Sequence, residues 1–161
     1  MVTNLIWTVE TLDTTGVAGI YSSLALCTTY EPGAPRIGYY GNGVLNYAHK
    51  FFFGGWSIAT LDSDAPAGIS FVLSPLCQPH VSYYDGFHAR LKYTYEDVSG
   101  WHTEVVDDQV DGGDWWSSLV LDSAGRPHIS YVGNWPPYGM GLKYAYKPYL
   151  AYLPLVLRNF P

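Results

Sequence analysis

Ser118-Leu-Val-Leu-Asp122, Pro127-His-Ile-Ser-Tyr131 and Leu142-Lys-Tyr-Ala-Tyr146 are three short blocks that recur, in the same order, twice upstream. The second copy reads Ser70-Phe-Val-Leu-Ser74, Pro79-His-Val-Ser-Tyr-Tyr-Asp85 and Leu91-Lys-Tyr-Thr-Tyr95. The first, more divergent, reads Ser23-Leu-Ala-Leu-Cys27, Pro35-Arg-Ile-Gly-Tyr-Tyr40 and Leu45-Asn-Tyr-Ala-His49. A fourth block opens on tryptophan each time: Trp7 to Asp13, Trp56 to Asp62 and Trp101 to Asp107. The tryptophans stand 49 and 45 residues apart (56 − 7 and 101 − 56). Four short strands in such a period fit a β-propeller blade. The chain therefore reads as all-β, with about three four-stranded antiparallel repeats over 1–148 and a tail over 149–161.

Connection lengths order the strands. The links after Asp122, after Asp85 and between Tyr95 and Trp101 are hairpin-short, whereas Asp13 to Ser23 and Asp107 to Ser118 are longer. A blade needs one long link, to return from its outer edge to the axis of the next. The Ser-Leu-Val-Leu strand is thus innermost and the tryptophan strand outermost. Asp122 and Gly125 are the turn-makers of the first hairpin, and Gly41-Asn-Gly43 marks another.

The run Ser-Leu-x-Leu-Asp-x-x-Gly-x-Pro-His-Ile-Ser-Tyr followed by Leu-Lys-Tyr-Ala resembles a repeat of bacterial, often exported, β-propeller proteins. Its inner hairpin is similar to NHL-type blades. The resemblance spans roughly residues 7 to 146 and implies a fold; one fold hosts many activities.

Composition agrees. Of 161 residues, 48% are hydrophobic, 17% aromatic (15 Tyr, 6 Trp) and only 14% charged, which suits pleated, half-buried strands and excludes disorder. A net charge of −6 removes the basic surface that nucleic acid requires. No apolar window of ~18 residues is present to span a membrane. Met1 to Glu10 lacks the pattern of a signal peptide, so either the protein is not exported or its signal is not in this sequence; an extracellular or cell-surface location is the expectation the family resemblance implies. The tail's Leu153-Pro-Leu-Val-Leu-Arg158 also resembles short C-terminal tails in secreted proteins of some filamentous bacteria.

The ends are uneven. The chain opens on an outer strand, Trp7 to Asp13, and its third blade lacks one after Tyr146. Three blades fall short of the ~4 to 8 of a closed ring. Two chains forming a six-bladed ring, a fragment of a longer propeller, or a tail strand from Tyr149 to Leu157 each complete the pattern. A homo-oligomer, a dimer in the first instance, is the expectation, because open blade faces are apolar.

His80 and His128 share one repeat position with Arg36, which points to a structural role, namely a bond to a neighbouring blade or to Ser82 and Ser130. Glu10 and Glu104 match each other and align with Ala59, which points to a shared ion pair or a surface role rather than acid-base work. No metal or cofactor motif and no strained Gly-x-Ser-x-Gly elbow is present, so no catalytic residue and no cofactor is assigned.

Function is sought where the third copy departs from the others. Asp107 to Trp116 is an acidic, glycine-rich link holding Asp111, Asp114, Trp115 and Trp116. Gly133 to Gly141 is a hairpin insertion holding Asn134, Trp135 and Tyr138, stiffened by Pro136 and Pro137. Aromatic faces flanked by Asp or Asn suit a sugar ring, whose C–H groups stack while its hydroxyls are hydrogen-bonded. These seven residues are the candidate ligand site of a non-catalytic module for a glycan or a protein partner. A propeller glycosidase or lyase using carboxylates of 107–114, and a structural segment of a larger protein, are the alternatives. The aspartates are also a conceivable calcium ligand set, without EF-hand spacing.

The repeat alignment brings the two cysteines together. Cys27 lies four residues beyond Ser23, where the third copy has Asp122, and Cys77 lies seven beyond Ser70, where it has Gly125. Both fall in the first hairpin turn of adjacent blades. A disulfide there requires Cα atoms within ~7 Å.

Overall fold

The computed structural model describes residues 6–51, 53–64, 66–110, 116–136 and 139–148. Each repeat becomes one antiparallel sheet. Blade 1 pairs β1 (Ala18–Leu26), β2 (Pro35–Gly41), β3 (Val44–Lys50) and β4 (Trp56–Asp62) in that order. Blade 2 repeats it with β5 (Pro66–Leu73), β6 (Pro79–Asp85), β7 (Arg90–Asp97) and β8 (Gly100–Asp107). Blade 3 has β9 (Ser117–Leu121), β10 (Pro127–Trp135) and β11 (Gly139–Tyr146), with no outer strand among the described residues. The all-β, blade-by-blade architecture is the one the repeat predicts.

Local chemistry sets the turns. Asn42 and Gly43 both take positive φ (55° and 87°), the two-residue hairpin geometry whose twist matches its strands. In the β9–β10 turn the Asp122 carboxylate accepts the N–H groups of Ala124 and Arg126, each at 2.9 Å, and Gly125 sits at φ 76°. Cys77 takes the same left-handed conformation, φ 59°, at Gly125's repeat position. Cys27 and Cys77 are joined by a disulfide that ties blade 1 to blade 2, with Cα atoms 5.2 Å apart.

The core lies between the blades. Leu45 and Tyr47 of blade 1 pack on Ile69, Phe71, Val81 and Tyr83 of blade 2. Leu91 and Tyr93 of blade 2 pack in turn on Leu119, Ile129 and Tyr131 of blade 3. Polar bonds repeat with the same period. The Ser23 hydroxyl accepts the Phe71 N–H and the Ser70 hydroxyl accepts the Leu119 N–H, both at 3.0 Å. Side-chain oxygens of one inner strand thus satisfy the free backbone edge of the next.

Three expectations are corrected. Trp7 to Asp13 lies against blade 1 but is not a strand, having no ladder partner among the described residues, and Trp7 is exposed. The insertion in blade 3 is not a free loop up to Trp135: Gly133, Asn134 and Trp135 pair with Gly141, Met140 and Gly139, lengthening both strands. The histidines bond neither a neighbouring blade nor the serine. His80 Nδ1 meets the Tyr93 hydroxyl and His128 Nδ1 meets that of Tyr144, each at 2.5 Å within its own blade, while Arg36 reaches Tyr47 at 3.1 Å. A long aromatic on the adjacent strand is the nearer partner, since cross-strand neighbours on one face sit side by side.

Candidate ligand site

Strand polarity sorts every connection onto one of two faces. The β1–β2, β5–β6 and β9–β10 turns share the disulfide face. The β2–β3, β6–β7 and β10–β11 hairpins share the other, together with the links that lead from one blade to the next. The described parts of both departures from the repeat, 107–110 with 116 and 133–136 with 139–141, therefore belong to this second face.

Of the predicted site residues, Asp111, Asp114, Trp115 and Tyr138 lie outside the described residues. Asn134 and Trp135 stand near the tip end of the β10–β11 ladder, beyond the Tyr131–Ser117 pair where β9 begins. Trp116 immediately precedes β9 at the same end of the blade, 64% exposed. Its ring packs T-shaped against that of Tyr21, centroids 5.9 Å apart, and it borders a crevice with Tyr84, Leu91, Val110 and Tyr131. Trp116 thus leans on Tyr21 with most of its surface open to solvent, and an exposed aromatic surface is what stacking requires.

Tyr21 was not legible as a site residue. It holds φ 52° at a bulge in β1 where blade 2 places Gly68, φ 57°. A tyrosine at a glycine position carries backbone strain, and here the strained residue supports Trp116.

The acidic link is anchored beside blade 2. Val110 is buried in the interblade core, and its N–H donates to the Ala89 carbonyl at 3.2 Å in the β6–β7 hairpin. That hairpin carries a charge cluster that the repeat pattern does not single out. Asp85, fully buried, occupies the position of Gly41 and Gly133 in the other copies. Its carboxylate accepts the N–H groups of Phe87 and His88 at 3.0 Å and meets His88 Nδ1 at 2.9 Å. Lys92 Nζ pairs with Asp62 at 3.0 Å, Asp64 at 2.5 Å and Asp85 at 3.0 Å. Burial works against the Asp85 anion, but the hydrogen bonds from Lys92 and His88 outweigh it and lower its pKa. Burial likewise opposes the Lys92 ammonium, and the three carboxylates raise its pKa nonetheless.

Asp64, Asp85 and His88 present donor atoms within 4.8 Å of one another, a spacing a metal can use. Their donor set does not fit one as it stands, because the Lys92 ammonium already sits against both carboxylates. The residue type that displaced a glycine, Asp85, was the available signal for this cluster.

Carboxylates of the outer strands, Asp62, Asp107 and Glu104, tie one blade to the next. Tyr131 donates to Asp107 at 2.7 Å and Lys143 pairs with it at 2.8 Å, as Tyr83 and Lys92 do with Asp62. Glu104 pairs with Lys147 at 2.6 Å and Glu10 with Lys50 at 2.5 Å, the shared ion pair the alignment suggested. Glu104 and Lys147 also line a groove of about 360 Å³ between blades 2 and 3, together with Tyr93, Ile129 and Tyr146.

No family model and no curated protein matches the chain. Among solved structures the chain is similar in fold to a fucose lectin from Kordia zhangzhouensis, solved in complex with methyl-fucoside. The TM-score is 0.54 at 17% identity, over 80% of this chain and 98% of that one. At that identity the likeness is one of fold.

Proposed function

We propose that the protein is a non-catalytic, lectin-like module that binds a glycan on the face carrying the blade-to-blade links, with Trp116, Trp115, Trp135 and Tyr138 as stacking surfaces. Asp111, Asp114 and Asn134 supply hydrogen-bond acceptors for sugar hydroxyls. The observation that carries the reading is Trp116, a tryptophan steadied by Tyr21 and open to solvent. The fold likeness to a protein solved with methyl-fucoside supports the same ligand class and makes fucosides the first probes. The disulfide suits an oxidising compartment, in keeping with an extracellular or cell-surface lectin.

The enzyme alternative rests on Asp111 and Asp114, which lie outside the described residues. A glycosidase needs one carboxylic acid whose pKa is raised enough to donate a proton. Among the described residues, each carboxylate that its surroundings perturb is moved the other way: Glu10, Asp13, Asp62, Asp85, Asp97, Asp107 and Asp122 are all lowered. A glycan array probed with the whole protein tests the reading. Retention on defined glycans with no released product supports a lectin. Product release abolished by Asp111→Asn or Asp114→Asn, with retention kept, supports the enzyme instead.

A further inference from the structure

Both internal junctions between blades are built from the same parts, and the two ends of the chain expose complementary halves of a third. At each internal junction an inner-strand serine accepts an N–H from the next blade (Ser23 from Phe71, Ser70 from Leu119). An outer-strand aspartate accepts a tyrosine hydroxyl (Asp62 from Tyr83, Asp107 from Tyr131). A Leu and a Tyr of the third strand, Leu45 with Tyr47 and Leu91 with Tyr93, are buried under the next blade.

Blade 3 presents the first half of such a junction, uncovered by any other described residue. Leu142 is 81% exposed where its counterpart Leu91 is 2% exposed, and Tyr144 is exposed where Tyr93 is buried. Ser118 stands at the position of Ser23 and Ser70 and is exposed. Blade 1 presents the second half. Leu24 is 57% exposed where its counterparts Phe71 and Leu119 are 4% and 2% exposed.

The segment Trp7 to Asp13 supplies the missing piece. It is aligned with the outer strands β4 and β8, and it touches blade 1 as they touch blades 2 and 3. Tyr39 donates to Asp13 at 2.9 Å, matching Tyr83 with Asp62 and Tyr131 with Asp107. Glu10 pairs with Lys50, matching Glu104 with Lys147. The middle junction has neither partner: Ala59 replaces the glutamate and Glu96 stands where the other copies have lysine. The segment thus occupies the place of an outer strand of a preceding blade, while β11 has no outer strand paired with it among the described residues.

We propose that two copies of the chain close a six-bladed ring head to tail, Trp7 to Asp13 of each copy completing the third blade of the other. Each copy's Leu24 and Ile37 then cover the other's Leu142 and Tyr144, and its Leu24 N–H donates to the other's Ser118 hydroxyl. Copy number follows from blade count. Among the described residues one chain leaves both faces open, and three copies of three blades would give nine, beyond the usual ~4 to 8. Head-to-tail contacts of this kind close when the rotation returns to its start.

Light scattering on the whole protein, with two single variants, tests this. The wild type is expected at about 36 kDa, twice the 17.9 kDa chain. Leu24→Asp and Leu142→Asp, each at an exposed position, are each expected at the mass of one chain with unchanged β circular dichroism. Mixing the two variants restores the dimer mass, because one of its two junctions is then wild type on both sides. Hydrogen exchange on the wild type provides a readout free of any variant: the Leu24 amide is protected and loses protection on dilution. A wild-type monomer, a trimer, a Leu24→Asp protein that stays dimeric, or an unprotected Leu24 amide overturns the proposal.

Discussion

The imidazole of His80 meets the hydroxyl of Tyr93 at 2.5 Å inside blade 2, and burial pushes its pKa down from 6.5 to about 4. The folded protein holds this ring neutral, whereas the unfolded chain takes up a proton near pH ~6.5. His80 therefore contributes stability that is fully present above pH ~6.5 and is lost as pH falls towards about 4. Urea unfolding between pH 7 and 4.5 is expected to show a decline of up to about 3 kcal/mol from this ring. His80→Gln is expected to flatten that slope. An equal slope in the variant would assign the decline elsewhere.

The disulfide is expected to be a main tie between blades 1 and 2. It closes a loop of 50 residues, for which the chain-entropy account gives about 4 kcal/mol and practice about 2–4. Replacing both cysteines by serine should lower unfolding free energy by that amount in chemical denaturation. A loss below about 0.5 kcal/mol would show that the interblade core holds the junction alone.

Lys92 and Lys143 occupy one repeat position and are expected to differ in cost. Lys92 neutralises three carboxylates, Asp85 among them with no solvent exposure, whereas Lys143 meets Asp107 in a more open setting. Removing one partner of a buried pair costs about 3–5 kcal/mol, because the other charge is left buried. Lys92→Met should fall in that range and Lys143→Met well below it. Equal losses would mean that Asp85 is hydrated after all.

The repeat made the fold readable because period, strand order and turn chemistry all point the same way. Even Cys77 was placed correctly in its turn by Gly125, since both positions require positive φ. What single-chain periodicity hid was pairing across strands and blades. It put the His80 bond on a neighbouring blade or on Ser82, whereas the ring meets Tyr93 in its own blade and the Ser82 hydroxyl meets that of Ser117 in the next blade at 2.8 Å. It also made a strand of Trp7 to Asp13, whose ladder partners the described chain does not contain. On the site side, departures from the repeat pointed to Trp116, in the third copy, but two others went unread. Asp85 departs from Gly41 and Gly133 in the second copy, and Tyr21 departs from Gly68 in the first.

The central claim is that a glycan stacks on the aromatic face beside blade 3. Titration calorimetry with the methyl glycosides of fucose, galactose, mannose and N-acetylglucosamine, on the wild type, Trp116→Ala and Trp135→Ala, tests it most directly. The account predicts saturable binding of at least one glycoside by the wild type. It predicts an affinity weakened on the order of tenfold or more in each variant, the equivalent of ~1.4 kcal/mol, with circular dichroism unchanged. Wild-type binding retained at full affinity in both variants, or no binding to any of the four, would contradict it.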